Sequence, residues 1–210
     1  MKTVILDFDG TIADTRSLIV TTMQQTIAKL GLPERTEDQC AEMIGLPLRQ
    51  SFADLIPMDD TMADACDKTY REFFSVNNKP GTVKPFPNVI DTIKEMYAMG
   101  IIIAIASSRG RDTLEAFLQE MGLSNYISYV VSAQDVKNAK PAPDMVEVVL
   151  SHTEENLDEV LMVGDTVFDI DMGTNAGVKT CGVTYGNGKE EELQSADYLI
   201  NDFKELLDIV

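Results

Sequence analysis

Two aspartates, Asp7 and Asp9, flank a phenylalanine in the stretch "LDFDGT", and Gly10 and Thr11 follow at once. A strand that ends in two carboxylates is electrostatically poor for stability, so a ligand is the better reason for them. Three more stretches carry residues of complementary chemistry. "IIIAIASS" ends in Ser107 and Ser108, Lys140 stands just before Pro141 in "KPAP", and "GDTVFD" holds Asp165 and Asp169. If these stretches meet at one place, four carboxylates repel one another unless a divalent cation lies among them. A hard ion with oxygen ligands, Mg²⁺ first, fits the set. The hydroxyls of Thr11, Ser107 and Ser108, free backbone N–H groups and the Lys140 ammonium are what a phosphoryl group needs. Asp7 is then placed to attack phosphorus. Asp9, two residues on, points elsewhere and is free to protonate a leaving alkoxide and later deprotonate water. Gly10 permits the tight turn that returns Thr11 toward the phosphate.

The elements that must position these residues read clearly. "TVILD" at 3–7 is a β-branched apolar run of the kind found in a parallel strand buried on both faces. From Ser17 to Leu30 the apolar spacing becomes helical, with Gly31 as a stop. Residues 36–78 add helical pieces broken by Gly45, Pro47 and Pro57, without a strand signal. "NKPGTVKPFP" at 78–87 reads as a linker. Beyond it strands alternate with helices to the end, where "ADYLI" is a last strand and "DFKELLDIV" a closing helix. Alternation of this kind predicts an α/β fold, a parallel sheet with helices on both faces. The organisation is therefore discontinuous: a core from 1–14 and 82–210, and an all-helical cap from 15–81 inserted after the first strand. In such sheets ligands bind beyond the carboxyl ends of the strands, so the cap overhangs the aspartates.

Composition narrows the partners. The formal net charge is −18, from 35 acidic against 17 basic residues, with no basic stripe. Nucleic-acid binding and binding to an anionic membrane surface are both disfavoured. The 44% apolar content allows a substantial core. Cys40, Cys66 and Cys181 form no CxxC pair and read as reduced thiols in a cytoplasmic protein. No stretch reads as a signal peptide or a membrane span. Several polar residues have plainer readings. Asp14 reads as a cap of the first helix of the insert, Asp171 as a solvated helix residue, and His152, the sole histidine, as a surface residue near a helix end.

In this order and spacing, "DFDGT", "ASS", "KPAP" and "GDTVFD" resemble the four motifs of haloacid dehalogenase superfamily phosphatases, in the group with a small helical cap. The resemblance covers essentially the whole chain and implies a Rossmann-like core. It implies Mg²⁺ held by the Asp7 side chain, the Asp9 backbone carbonyl and Asp165, with Asp169 orienting the site. Within the superfamily "IGLPLRQSF" and "ADYLINDFKEL" are similar to phosphoglycolate phosphatases. That implies a phosphoric monoester hydrolase acting on a small phosphorylated metabolite, as a monomer or homodimer. A dehalogenase would need neither Asp9 nor Asp165. A β-phosphoglucomutase-like phosphotransferase and an inorganic pyrophosphatase share the same core and stay open, as does a non-catalytic phosphate-binding module. Arg49 follows the "GLPL" turn of the insert, where it either gives an anionic substrate a bidentate partner or pairs at the surface with Asp54 or Glu42.

Overall fold

The computed structural model describes residues 1–153 and 155–210. The chain begins with β1 (Thr3–Leu6) and the short β2 (Ala13–Asp14). Four helices follow: α1 (Arg16–Lys29), α2 (Glu37–Ala41), α3 (Leu48–Leu55) and α4 (Asp60–Asn77). The remainder alternates: β3 (Lys84–Pro85), α5 (Val89–Ala98), β4 (Ile102–Ser107), α6 (Arg111–Glu120), β5 (Tyr129–Ser132), α7 (Asp144–Leu150), β6 (Val160–Gly164), α8 (Val167–Ala176), β7 (Lys179–Val183) and β8 (Tyr198–Ile200). The six longer strands form one parallel sheet in the order β5-β4-β1-β6-β7-β8.

Side-chain period explains why β1 can sit in the middle. Val4 and Leu6 face one apolar layer with Ile103, Ile105, Leu161 and Val163, and Ile5 faces the other with Ala104, Met145 and Met162. The chain runs from β1 to β4 and β5 on one side, then crosses back to β6 on the other. The direction of winding therefore reverses at β1, where an open α/β sheet leaves a crevice at its carboxyl edge. Leu6 is in register with Ile105 and Val163, so β4 runs two residues and β6 one residue beyond the end of β1.

Two features differ from the sequence-based expectation. The proline-rich stretch 78–87 is not only a linker: β3 lies within it and pairs antiparallel with β2, Ala13 opposite Pro85 and Asp14 opposite Lys84. Pro85 is tolerated because a two-stranded ribbon is all edge. Asp14 therefore belongs to β2, and Thr15 takes the N-cap position of α1. The closing segment is also tighter than an α-helix. Phe203–Asp208 winds as 3₁₀, whose three-residue turn brings Phe203 and Leu206 to the same buried face. Helices α1 to α4 pack on one another between the two ribbon strands, and Ser108 and Lys189 reach them from the sheet side, donating to Gly45 O at 2.6 Å and to Glu42 at 2.9 Å.

Candidate active site

The backbone of Asp7 still donates to Val163 O at 2.9 Å, so its side chain is set by the end of the sheet. Phe8 then turns into the apolar layer, fully buried and stacked on Phe117 at 5.8 Å between ring centroids. This anchor leaves the carboxylates on either side of it at the carboxyl edge. Gly10 follows at φ +99°, and a β-carbon there would collide with Asp165 Oδ2 and Asn187 Nδ2. Only glycine lets the loop lie this close to Asp165.

Lys140 arrives from the loop between β5 and α7 and is buried to 1% exposure. Its ammonium donates to Asp7 Oδ1 and to Asp169 Oδ1, both at 2.6 Å. Asp169 caps its own helix, its Oδ2 accepting from the backbone N and Oγ1 of Thr166 at 3.1 and 2.8 Å. Both Asp169 oxygens are thus engaged, which makes it the residue that orients Lys140. Asp165 Oδ2 accepts from the backbone N and Nδ2 of Asn187 at 2.6 and 3.1 Å. Asp165 Oδ1 receives only a long contact from Thr11 Oγ1, 3.4 Å.

The electrostatics follow from burial. Desolvation, opposed by Lys140 and reinforced by Asp169 and Asp9, pushes the Asp7 carboxyl up to about 7. Asp165 is raised well above the carboxylate range by burial and by the charges of Asp7 and Asp169. Burial works against the Lys140 charge, but Asp169 and Asp7 overcome it and hold the ammonium above its usual range. One cation does not balance this group. Oxygens of Asp7, Asp165 and Asp169 approach within 4.8 Å of one another, and no donor among the described residues reaches Asp7 Oδ2. Hard oxygen donors crowded without charge balance fit a divalent cation of the Mg²⁺ type. Asp7 and Asp165 have oxygens to offer it, and the Asp9 carbonyl lies nearby, 3.4 Å from Asn187 Nδ2.

Asp9 is placed otherwise. Both its carboxylate oxygens accept from Arg109, Oδ1 from Nη2 at 2.5 Å and Oδ2 from Nε at 3.0 Å. The guanidinium lies over the rings of Phe74 and Phe117, 5.3 and 5.1 Å from their centroids. Burial opposes its charge, and Asp9 more than offsets this, so Arg109 stays a cation. Ser107, at the end of β4, is buried and accepts from the Arg109 backbone N at 3.2 Å. A cleft of about 570 Å³ opens over Asp7, Asp9 and Ser107 and runs up between α1, α3 and α4.

Asp7, Lys140 and Asp169 are thus one bonded group, Thr11 and Asp165 a second one beside it, and Asp9 and Ser107 lie on the adjoining cleft floor. Two expected substrate residues stand apart. The Ser108 hydroxyl is committed to the Gly45 carbonyl. Arg49 lies on the cleft rim in α3, and its guanidinium is bound by Asp60 and Asp64 at 2.7 Å each, not by Asp54 or Glu42. Arg109 and Asn187 are additions. Arg109 directly follows the Ser107–Ser108 strand end and Asn187 lies in a Gly-Asn-Gly turn behind β7, positions that do not by themselves name Asp9 and Asp165 as partners.

Comparison with known proteins agrees with this geometry. The model of the family "haloacid dehalogenase-like hydrolase" matches residues 4–183. Pyrophosphatase PpaX of Oceanobacillus iheyensis is 31% identical over 212 residues, covering 100% of this chain and 97% of its own. A Bacteroides fragilis protein named as a haloacid dehalogenase-like hydrolase superposes with a TM-score of 0.91 at 25% identity, over 98% of this chain and 99% of its own. A predicted phosphoglycolate phosphatase of Haemophilus somnus shares the fold, with a TM-score of 0.88 at 22% identity over 100% and 97% of the two chains. No described helix is long and apolar enough to cross a membrane. By its motifs, its sheet and its family match, the chain belongs to the haloacid dehalogenase-like hydrolases.

Proposed function

We propose that this chain hydrolyses a small phosphate monoester in two steps, through an aspartyl-phosphate on Asp7. The observation that carries the reading is the buried Asp7 carboxylate, fixed through Oδ1 by Lys140 and without a donor on Oδ2. In the first step Asp9, released from Arg109 and protonated from solvent, gives its proton to the leaving oxygen as an Asp7 oxygen bonds to phosphorus and the ester P–O bond breaks. In the second step Asp9 removes a proton from water, the water oxygen bonds to phosphorus, and the P–O bond to Asp7 breaks. The net change is ester plus water to alcohol plus phosphate. Lys140 neutralises a phosphoryl oxygen, and Thr11 and Ser107 offer it hydroxyl groups. Mg²⁺, held by Asp7, Asp165 and the Asp9 carbonyl, would supply further charge neutralisation. The relatives named pyrophosphatase support the same phosphoryl chemistry with phosphate as the leaving group.

The experiment is rapid quench of the enzyme with p-nitrophenyl phosphate and Mg²⁺, followed by mass spectrometry of the peptide that contains Asp7. A phosphorylated Asp7 is expected, together with loss of turnover in Asp7→Asn. Retention of more than about a hundredth of the wild-type rate in that variant would rule out the covalent route.

A further inference from the structure

Resting on the phosphatase reading above, we infer that the leaving group of this enzyme is an uncharged alcohol with a substantial apolar body. The roof of the cleft is the first argument. It is formed by Ile19 and Met23 of α1, Leu46 before α3, Leu48 of α3, and Tyr70 and Phe74 of α4. The volume of about 570 Å³ is that of a site for a small organic molecule and exceeds what glycolate or a second phosphate fills.

Charge is the second argument. Three arginines line the cleft, and each already has its partner. Arg49 is bound by Asp60 and Asp64, Arg71 by both oxygens of Asp67 at 2.7 and 2.9 Å, and Arg109 by both oxygens of Asp9. Lys140 belongs to Asp7 and Asp169. No cation among the described lining residues is left for a second negative group. A carboxylate or phosphate lodged there would be desolvated beside Asp9 and Asp67, which is costly without a partner. An apolar body meets no such penalty and gains from leaving water.

Tyr70 adds one polar handle. The residue is 8% exposed and lines the cleft. Burial pushes the phenol up, so it remains a donor. As a residue of the cleft lining, Tyr70 can offer this donor to a hydroxyl or carbonyl on the substrate.

The test uses wild-type enzyme with Mg²⁺ and n-alkyl phosphates from ethyl to hexyl, whose leaving groups have nearly equal basicity. The value of kcat/KM should rise about fourfold per methylene until the cleft is filled. Hexyl phosphate should exceed both 2-phosphoglycolate and pyrophosphate by tenfold or more. A flat series, or either anionic compound in the lead, would overturn the inference and leave the phosphatase reading standing. Calorimetry with alkylphosphonates, which cannot turn over, gives a second measure: hexylphosphonate should bind more tightly than methylphosphonate, and equal affinities would count against the apolar site. Leu46→Gln should reduce kcat/KM for hexyl phosphate more than for ethyl phosphate, and equal losses would remove the roof from the argument. No turnover of any ester, p-nitrophenyl phosphate included, would overturn the phosphatase reading, and the phosphonate series would then still decide the chemistry of the cleft.

Discussion

Lys140→Met removes the cation that separates two buried carboxylates. The ammonium makes 2.6 Å contacts to Asp7 and Asp169, and all three side chains are at most 4% exposed. Methionine keeps much of the volume and none of the charge. Taking one partner from a buried ion pair costs about 3–5 kcal/mol when the charge left behind stays ionised. That condition sets the pH dependence. Asp7 has its pKa raised to about 7 in the folded chain, above the value of 3.8 for a free side chain. The stability tied to its protonated form is therefore complete below pH 3.8 and is lost as pH rises through about 7. Lys140 lowers that pKa, so its removal moves the carboxyl higher still. The variant then goes on losing stability above pH 7, where the Asp7 contribution in the wild type has levelled off. The slope of that further loss is up to about 1.4 kcal/mol per pH unit. Urea unfolding in EDTA at pH 5, 6, 7 and 8, with unchanged m-values, should give two stability curves that run parallel up to pH 7 and diverge above it. The gap between them should widen by up to about 1.4 kcal/mol between pH 7 and pH 8. A gap that widens by less than about 0.5 kcal/mol from pH 7 to pH 8, or that narrows, would refute this account of the Asp7–Lys140–Asp169 group.

Saturating Mg²⁺ should raise the melting temperature over EDTA. A hundredfold excess over Kd contributes about 2.7 kcal/mol, or roughly 5–10 °C for a chain of this size, and coincident melts would remove the metal site. Arg109→Met should leave the circular dichroism spectrum intact and slow alkyl phosphates by roughly tenfold or more, with a smaller loss for p-nitrophenyl phosphate, because a good leaving group needs little protonation. Equal losses on both would separate Arg109 from the orientation of Asp9. Gly10→Ala should cost about 1–3 kcal/mol in thermal unfolding and weaken the Mg²⁺-induced shift, since the added carbon enters the space of Asp165 and Asn187. A fully retained shift would show that the loop is not held by that approach.

Most of the sheet was legible in the sequence because its strands are short, apolar and buried on both faces, bounded by glycines and helical spacing. "IIIAIAS" and "VLMVG" admit few other readings. The carboxyl-edge residues were legible for a related reason: Asp7 and Asp165 follow strands, Lys140 precedes a helix and Asp169 lies in the first turn of one, so topology alone brings them together. The β2–β3 ribbon was hidden because two residues per strand leave no period to detect. The 3₁₀ winding of 203–208 was hidden because apolar residues three apart fit both helix types over six residues. Arg109 and Asn187 act across 100 and 22 residues of sequence, on Asp9 and Asp165 respectively, and pairing at such range carries no local signal. The partners of Arg49 illustrate the same limit. Asp60 and Asp64 lie one turn apart on a different helix, and only the packing of α3 on α4 selects them over Asp54.

The central position of β1 has a consequence for how the molecule is made. β1 is the earliest strand of the described chain, yet its two neighbours are β4, which ends at Ser107, and β6, which ends at Gly164. On a ribosome moving at ~5–20 residues per second, β1 waits roughly 10–30 s before its second partner has been synthesised. During that interval an apolar strand with an open edge has to be shielded from other nascent chains. Asp165 lies just past that late strand, so a product truncated before it has neither a closed sheet nor a complete set of carboxylates. Winding order thus couples the two: Asp165 and Asp169 are made only after β6, the strand that covers the second edge of β1.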